Sequence, residues 1–143
     1  MTNEARYSQL ADTVARIYEY ERTKQLEPWK ELWADEARVV FPLDVVPGSR
    51  DVIGKQAITD WTAAKFVERT KSELDIRIEP LADGRRVLAH VHVTLFFENG
   101  TTIGGPILVI WTFNEDGKVL LMEEYVNDAT WPSNYKELAV PID

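Results

Sequence analysis

Leu10, Val14, Ile17 and Tyr18 fall at i, i+4, i+7 and i+8, with Tyr7 one turn earlier, the spacing of one apolar helix face. Thr2 or Asn3 is placed to cap this helix, and Glu4 suits its positively polarised first turn. Leu26, Trp29, Leu32 and Trp33 predict a second, short amphipathic helix, with Pro28 where a helix start tolerates proline. Val39-Val40-Phe41 reads as a short strand stopped by Pro42. Residues 43–52 hold Pro47, Gly48 and Ser49 and read as a loop. A third helix is expected to start near Gly54, with Ile58, Trp61 and Ala64 on one face.

The pattern then changes period. Leu74, Ile76 and Ile78 alternate with Asp75, Arg77 and Glu79, as in a strand with one wet face. Asp83-Gly84, Asn99-Gly100 and Asp116-Gly117 supply the positive φ angles that tight hairpin turns need. Between them lie long segments rich in Val, Ile, Thr and Phe. This predicts a four-stranded antiparallel meander over 73–81, 86–98, 102–113 and 118–127. Gly104-Gly105-Pro106 predicts a bulge or sharp bend in the third of these strands. Long bent strands curl, and the three helices are the available filling for the concave side. The whole chain, 1–143, reads as one domain, with 128–143 as a C-terminal tail. Trp131, Pro132, Tyr135 and Leu138 make that tail too apolar to stay free, so it is expected to pack on the body or on a partner subunit.

Composition narrows the functional classes. With 16 basic and 24 acidic residues the formal charge is −8, which repels nucleic acid and anionic membrane surfaces. The absence of cysteine removes disulfides, thiol nucleophiles and thiolate metal sites. The first residues are polar and acidic, unlike a signal peptide, and the longest apolar run, Pro106 to Trp111, is far short of a membrane span. A cytoplasmic location is the resulting expectation. There is no glycine-rich phosphate loop, no Gly-x-Ser-x-Gly elbow and no His-Glu-x-x-His.

Leu32-Trp33-Ala34-Asp35-Glu36-Ala37 resembles the "LFADDA" stretch of the NTF2-like superfamily, which includes ketosteroid isomerase and the SnoaL-like polyketide cyclases. Val40-Phe41-Pro42 followed by Ile53-Gly54-Lys55-Gln56-Ala57-Ile58 resembles that family's short strand, loop and helix start. Phe113-Asn114-Glu115-Asp116-Gly117-Lys118-Val119 resembles its last hairpin. Glu124-Tyr125-Val126-Asn127 resembles the ending of SnoaL-like and phenazine-biosynthesis A/B-like members. The resemblance covers about residues 5–128. It implies an α+β fold, a cone-shaped curved antiparallel sheet wrapped around three N-terminal helices. It leaves the reaction open, since one fold hosts many chemistries. Carried over from the isomerase, the base position falls on Phe41, the helix-one tyrosine on Ile17 beside Tyr18, and the protonated aspartate on Val109. None of the three chemical groups is retained, so steroid isomerisation by that mechanism is not expected.

Carrying the family's strand register over places His90, His92, Thr94 and Phe96, then Val109 and Trp111, then Met122, Glu124 and Val126 on the concave face. A mainly apolar lining with a few polar groups is how small-molecule pockets are built. Glu124, in the position of the phenazine-type relatives' acidic pocket residue, is the first candidate for acid/base catalysis. Burial among Met, Val and Trp is expected to raise its pKa. A register slip of one residue would turn it to solvent in place of Glu123. His92, an imidazole and so a side-chain type suited to proton shuttling, is the second catalytic candidate. Tyr18, Phe41, Asp44, Trp61, Thr94, Phe96, Val109, Trp111, Met122 and Val126 are expected to contact substrate. Tyr18 offers a hydrogen bond, Trp61 a stacking surface, and Asp44 a displaced base at the cone's mouth. Loop aspartates more often cap turns. His90, His92 and Glu124 could form a two-histidine, one-carboxylate metal site, but no further ligand supports it, so neither metal nor cofactor is expected. Glu19, Glu21, Arg22 and Lys24 read as a solvated helix face.

Two functions fit. One is a SnoaL-like enzyme performing cofactor-independent isomerisation, cyclisation, dehydration or hydrolysis on an apolar carbonyl or polyketide-like compound. The other is a non-catalytic hydrophobic-ligand-binding or dimeric scaffold protein of the same fold. A small apolar molecule is the expected partner, together with a second copy of the chain. Relatives commonly pair through the sheet's convex face, where Leu95, Phe97, Leu108 and Ile110 are expected to point.

Overall fold

The computed structural model describes residues 2–126. Helix α1, Asn3–Arg22, is capped by Thr2, whose hydroxyl accepts from the Ala5 amide. Its buried side chains are Leu10, Thr13, Val14, Ile17 and Tyr18, the stripe expected from the spacing. Helix α2 is one short turn, Leu26–Lys30, with Trp29 buried. Leu32 and Trp33 do not extend it. Trp33 instead opens strand β1, Trp33–Val40, because the chain there finds a partner strand: Trp33 faces Val119, and the Val119 amide donates to the Leu32 carbonyl at 2.9 Å. Strand pairing overrides a helical spacing that rested on four residues. A two-residue strand β2, Val52–Ile53, leads to Gly54, whose φ of +95° suits glycine at the turn into helix α3, Lys55–Glu68. The buried face of α3 is Ile58, Thr59 and Thr62; Ala64 is exposed.

Strands β3, Arg69–Pro80, β4, Arg86–Phe97, β5, Thr102–Phe113, and β6, Val119–Tyr125, form the expected meander. The sheet order is β2-β1-β6-β5-β4-β3. It is curved and does not close. Pairing is antiparallel except between β1 and β6, which run parallel, so the sheet is mixed rather than purely antiparallel. β3 begins at the end of α3, four residues before the expected start. The Gly104-Gly105-Pro106 segment does not bulge. Thr94, Val93 and His92 of β4 pair with it in unbroken register. Gly104 eases the close approach of β4, since a Cβ there would lie 3.0 Å from the Val93 carbonyl oxygen, tighter than ordinary contact. Pro106 is tolerated because β6 pairs β5 only from Leu108 onward, leaving its other side unpaired among the described residues.

The core lies between helices and sheet. Trp29 and Trp33 have ring centroids 5.0 Å apart, Trp33 and Trp111 5.8 Å, and Trp111 and Tyr18 5.6 Å, so one aromatic chain joins α2, β1, β5 and α1. Such pairs add about 0.5–1.5 kcal/mol each beyond the area they bury. The sheet's inner row on β4 is Val87, Ala89, Val91, Val93, Leu95 and Phe97, all buried. This reverses the expected orientation: His90, His92, Thr94 and Phe96 lie on the outer face. The alternation itself carried the reason, because the row holding two histidines and a threonine is the wetter one. Leu95 and Phe97 are therefore core residues. The outer face carries Leu108 and Ile110 as expected, but with Leu88, Phe96, Leu121 and Tyr125, each half-exposed. The expected tail, 128–143, lies outside the described residues.

Candidate functional site

The concave face narrows onto a group of ionisable side chains. On β6, Glu124 pairs directly with Val109, and Met122 with Trp111. Cross-strand partners share a face, so Glu124 projects to the same side as two fully buried residues of β5. From α1 come Tyr18 and, three residues on, Glu21. From α3 comes Lys65, seven residues after Ile58 and four after Trp61. Arg69 stands where α3 passes into β3.

These groups act on one another. Burial is the main force raising Glu21, to about 7, with the nearby Glu124 adding to it. The Trp29 indole, which donates to the Glu21 carboxylate at 3.3 Å, and the cations of Lys65 and Arg69 oppose the rise. Burial also leads in lowering Lys65 to about 7, reinforced by Arg69 and opposed by Glu124, Glu21 and Glu68. The Tyr18 hydroxyl is pushed well above the ordinary phenol value, by burial first and by Glu21 and Glu124 after it. It therefore stays protonated. Its oxygen accepts from the Trp111 indole N–H at 3.2 Å, which leaves its own proton available to donate. The Lys65 ammonium sits 3.0 Å from the Trp61 ring centroid. Trp61 packs edge-on against Phe41, centroids 6.0 Å apart. Glu68 Oε1 and Arg69 Nε are buried without a hydrogen-bond partner among the described residues.

The expected site residues thus divide. Tyr18, Phe41, Trp61, Val109, Trp111, Met122 and Val126 all belong to or pack on the core inside the cone, and Glu124 shares their side. His92, Thr94 and Phe96 do not join them. His92 is exposed and pairs in register with Asp75; Phe96 lies under the Lys71 ammonium, 5.1 Å from its ring centroid. With the histidines on one face of the sheet and Glu124 on the other, the two-histidine, one-carboxylate grouping is not assembled. Asp44 sits in the loop after β1, where it accepts from Arg50 Nε at 3.0 and 2.9 Å and from the Ser49 hydroxyl at 3.4 Å. Arg50 in turn lies 4.3 Å over the Phe41 ring. Asp44 thus braces the loop that covers Phe41.

Glu21 and Lys65 were not anticipated. Glu19 and Arg22 do form an exposed pair, as a solvated face should. Glu21, however, continues the apolar stripe of α1: it is four residues beyond Ile17 and seven beyond Val14. Lys65 continues the stripe of α3 in the same way. A charged residue in register with a buried stripe was the available signal.

An open depression of about 700 Å³ lies elsewhere, on the outer face, bordered by Leu43, Asp75, Arg77, His90, His92 and Tyr125. Its charged groups stay in solvent; His90 Nε2 lies 3.7 Å from Glu79 with 38% of its side chain exposed. The interior cluster is the stronger candidate, since enclosure is what perturbs acid and base groups.

A helix-lined, curved, unclosed sheet with an ionisable cluster on its inner side defines an NTF2-like α+β protein. The SnoaL-like domain model matches residues 14–122, and the chain belongs to that family. Solved structures share the fold. A Bacillus subtilis protein provisionally assigned as an isomerase superposes with a TM-score of 0.75 at 19% identity, over 96% of this chain and 95% of that one. A Mycobacterium tuberculosis protein in complex with estradiol-17β-hemisuccinate gives 0.76 at 15% identity, over 87% and 98%. A protein of Jannaschia sp. CCS1, provisionally assigned as a SnoaL-like polyketide cyclase, gives 0.69 at 17%, over 85% and 88%. No curated protein sequence matches the chain. Among the described residues, no helix is long and apolar enough to cross a membrane.

Proposed function

We propose that this protein is a small-molecule enzyme performing cofactor-independent proton transfer on an apolar carbonyl or polyketide-like compound held inside the cone. The observation that carries the reading is the grouping of half-buried Glu124, Glu21 and Lys65 on the sheet's inner side with a buried Tyr18 hydroxyl that has a proton to give. Tyr18 donates to the substrate carbonyl oxygen, and the Trp111 N–H bonded behind it holds the hydroxyl in place. Glu124 takes or returns a proton at the carbon beside that carbonyl. Glu21 and Lys65, both titrating at about 7, exchange protons with Glu124 between turnovers. Phe41, Trp61, Val109, Met122 and Val126 supply apolar contact. The reaction class is isomerisation, cyclisation, dehydration or hydrolysis. His92, on the outer face, has no part in this scheme.

Deuterium uptake tests the reading without knowledge of the net reaction. Aryl ketones incubated with the protein in heavy water should exchange the hydrogens beside the carbonyl, followed by NMR. Glu124→Gln should slow exchange about 100-fold or more while tryptophan quenching by the ketone is unchanged. The deep burial of Phe41 and Val109, where the isomerase carries polar groups, supports the second reading, a hydrophobic-ligand-binding protein. Tight ketone binding with no exchange in the wild type would select it. Under either reading a second copy covers the apolar outer face around Leu108 and Ile110.

A further inference from the structure

Resting on the reading of the cone interior as a carbonyl site, we propose that Lys65 is an amine nucleophile that condenses with an aldehyde or ketone bound there. Three features of its surroundings point this way. First, its position on α3, in step with Ile58 and Trp61, turns it toward the concave face, and its head lies 3.0 Å from the Trp61 ring centroid. Second, it makes no ion pair within 4.0 Å among the described residues, whereas Lys30 and Lys71 each hold a glutamate at 2.8 Å. The groups that act on it are Glu21 from α1, Glu124 from β6, and Glu68 and Arg69 from the end of its own helix. Third, burial disfavours the charged form of the amine most strongly, and the permanent cation of Arg69 beside it acts in the same direction. The Trp61 face opposes them by favouring the ammonium. Burial and Arg69 prevail, leaving the amine at about 7 and so partly unprotonated at neutral pH.

The step balances on groups already present. The Lys65 nitrogen attacks the carbonyl carbon, forming the C–N bond. The carbonyl oxygen takes the Glu21 carboxyl proton, and Glu124 accepts one proton from nitrogen. The hydroxyl then leaves as water with the proton Glu124 returns, and the C–O bond breaks. One hydrogen stays on nitrogen, giving an iminium ion faced by the Glu21 and Glu124 carboxylates. That cation withdraws electrons more strongly than the parent carbonyl and acidifies the neighbouring C–H bond on which Glu124 acts.

The test is reductive trapping with benzaldehyde and sodium cyanoborohydride, read by peptide mass mapping. Lys65 should be benzylated about 10-fold or more faster than the other lysines, with a rate midpoint near pH 7. Lys65→Met and Lys65→Gln, checked for folding by circular dichroism, should lose that label and slow deuterium exchange. Labelling confined to the N-terminal amine and the other lysines overturns the proposal. So does full exchange activity in the folded variants, while leaving the Glu124 reading standing. Fast Lys65 labelling together with an unimpaired Glu124→Gln would support the amine and overturn the Glu124 assignment.

Discussion

At the residue scale, Tyr18 and Trp111 form a buried donor and acceptor pair. Tyr18→Phe removes the acceptor and strands the Trp111 N–H in a site with no exposure. Stability should fall by about 1–3 kcal/mol in chemical denaturation, with ketone turnover lost as well. Glu21 and Lys65 make opposite contributions to pH dependence. Folded, Glu21 keeps its proton up to about 7 against an ordinary value of 4.5, so folding takes up a proton between those values. Its contribution is full below 4.5 and lost once the pH passes 7. Lys65, lowered from 10.5 to about 7, releases a proton on folding; its contribution is full above 10.5 and lost as the pH falls through 7. Urea midpoints measured against pH should show Glu21→Gln removing a decline between 4.5 and 7, and Lys65→Met removing a climb between 7 and 10.5. Unchanged slopes would mean that both groups are solvated. Neither residue attracts attention in isolation, since a glutamate and a lysine on helices are usually surface residues. Their phase relative to Ile17 and Ile58 is what marks them.

At the element scale, α1, α3 and the meander were legible from periodicity, because each stripe or alternation ran for several turns or residue pairs. The failures came where a segment was short or had two apolar faces. Four apolar positions could not decide between helix and strand at Leu32-Trp33; a partner strand did. β4 carries hydrocarbon on both faces, Leu88 and Phe96 outside and Val87 to Phe97 inside, so borrowed register outweighed the polar signal of its histidines. Gly104 offers a direct test of strand packing. Gly104→Ala places a methyl 3.0 Å from the Val93 carbonyl oxygen, a backbone atom that cannot rotate away. It should destabilise by about 1–3 kcal/mol, read as a lower Tm, without loss of fold by circular dichroism. A neutral effect would show that β5 and β4 separate there at little cost. Ile58→Ala, at a site with no exposure under α3, should cost about 2–5 kcal/mol.

At the scale of the whole molecule, a curved sheet has to satisfy two apolar surfaces at once. The inner one is covered by α1, α2 and α3. The outer one leaves Leu88, Leu108, Ile110, Leu121 and Tyr125 half-exposed and contiguous across β4, β5 and β6, with Phe96 half-exposed further along β4. Sedimentation at micromolar concentration should give a dimer for the wild type and a monomer for Ile110→Asp. A wild-type monomer would withdraw the second copy from the proposal. Both histidines lie on this outer face, His90 half-exposed and His92 exposed.

The order of elements, the turn glycines, the apolar stripes and the family are properties of the sequence alone, because each depends on neighbours within a few positions or on motifs read in order. The face that β4 turns inward, the parallel pairing of β1 with β6, and the meeting of Glu21, Lys65 and Glu124 belong to the tertiary structure. Those three residues are separated by 44 and 59 positions. Only the closure of two helices over a curved sheet brings them together on its inner side, and it is partial burial there that shifts Glu21 and Lys65 toward neutral pH.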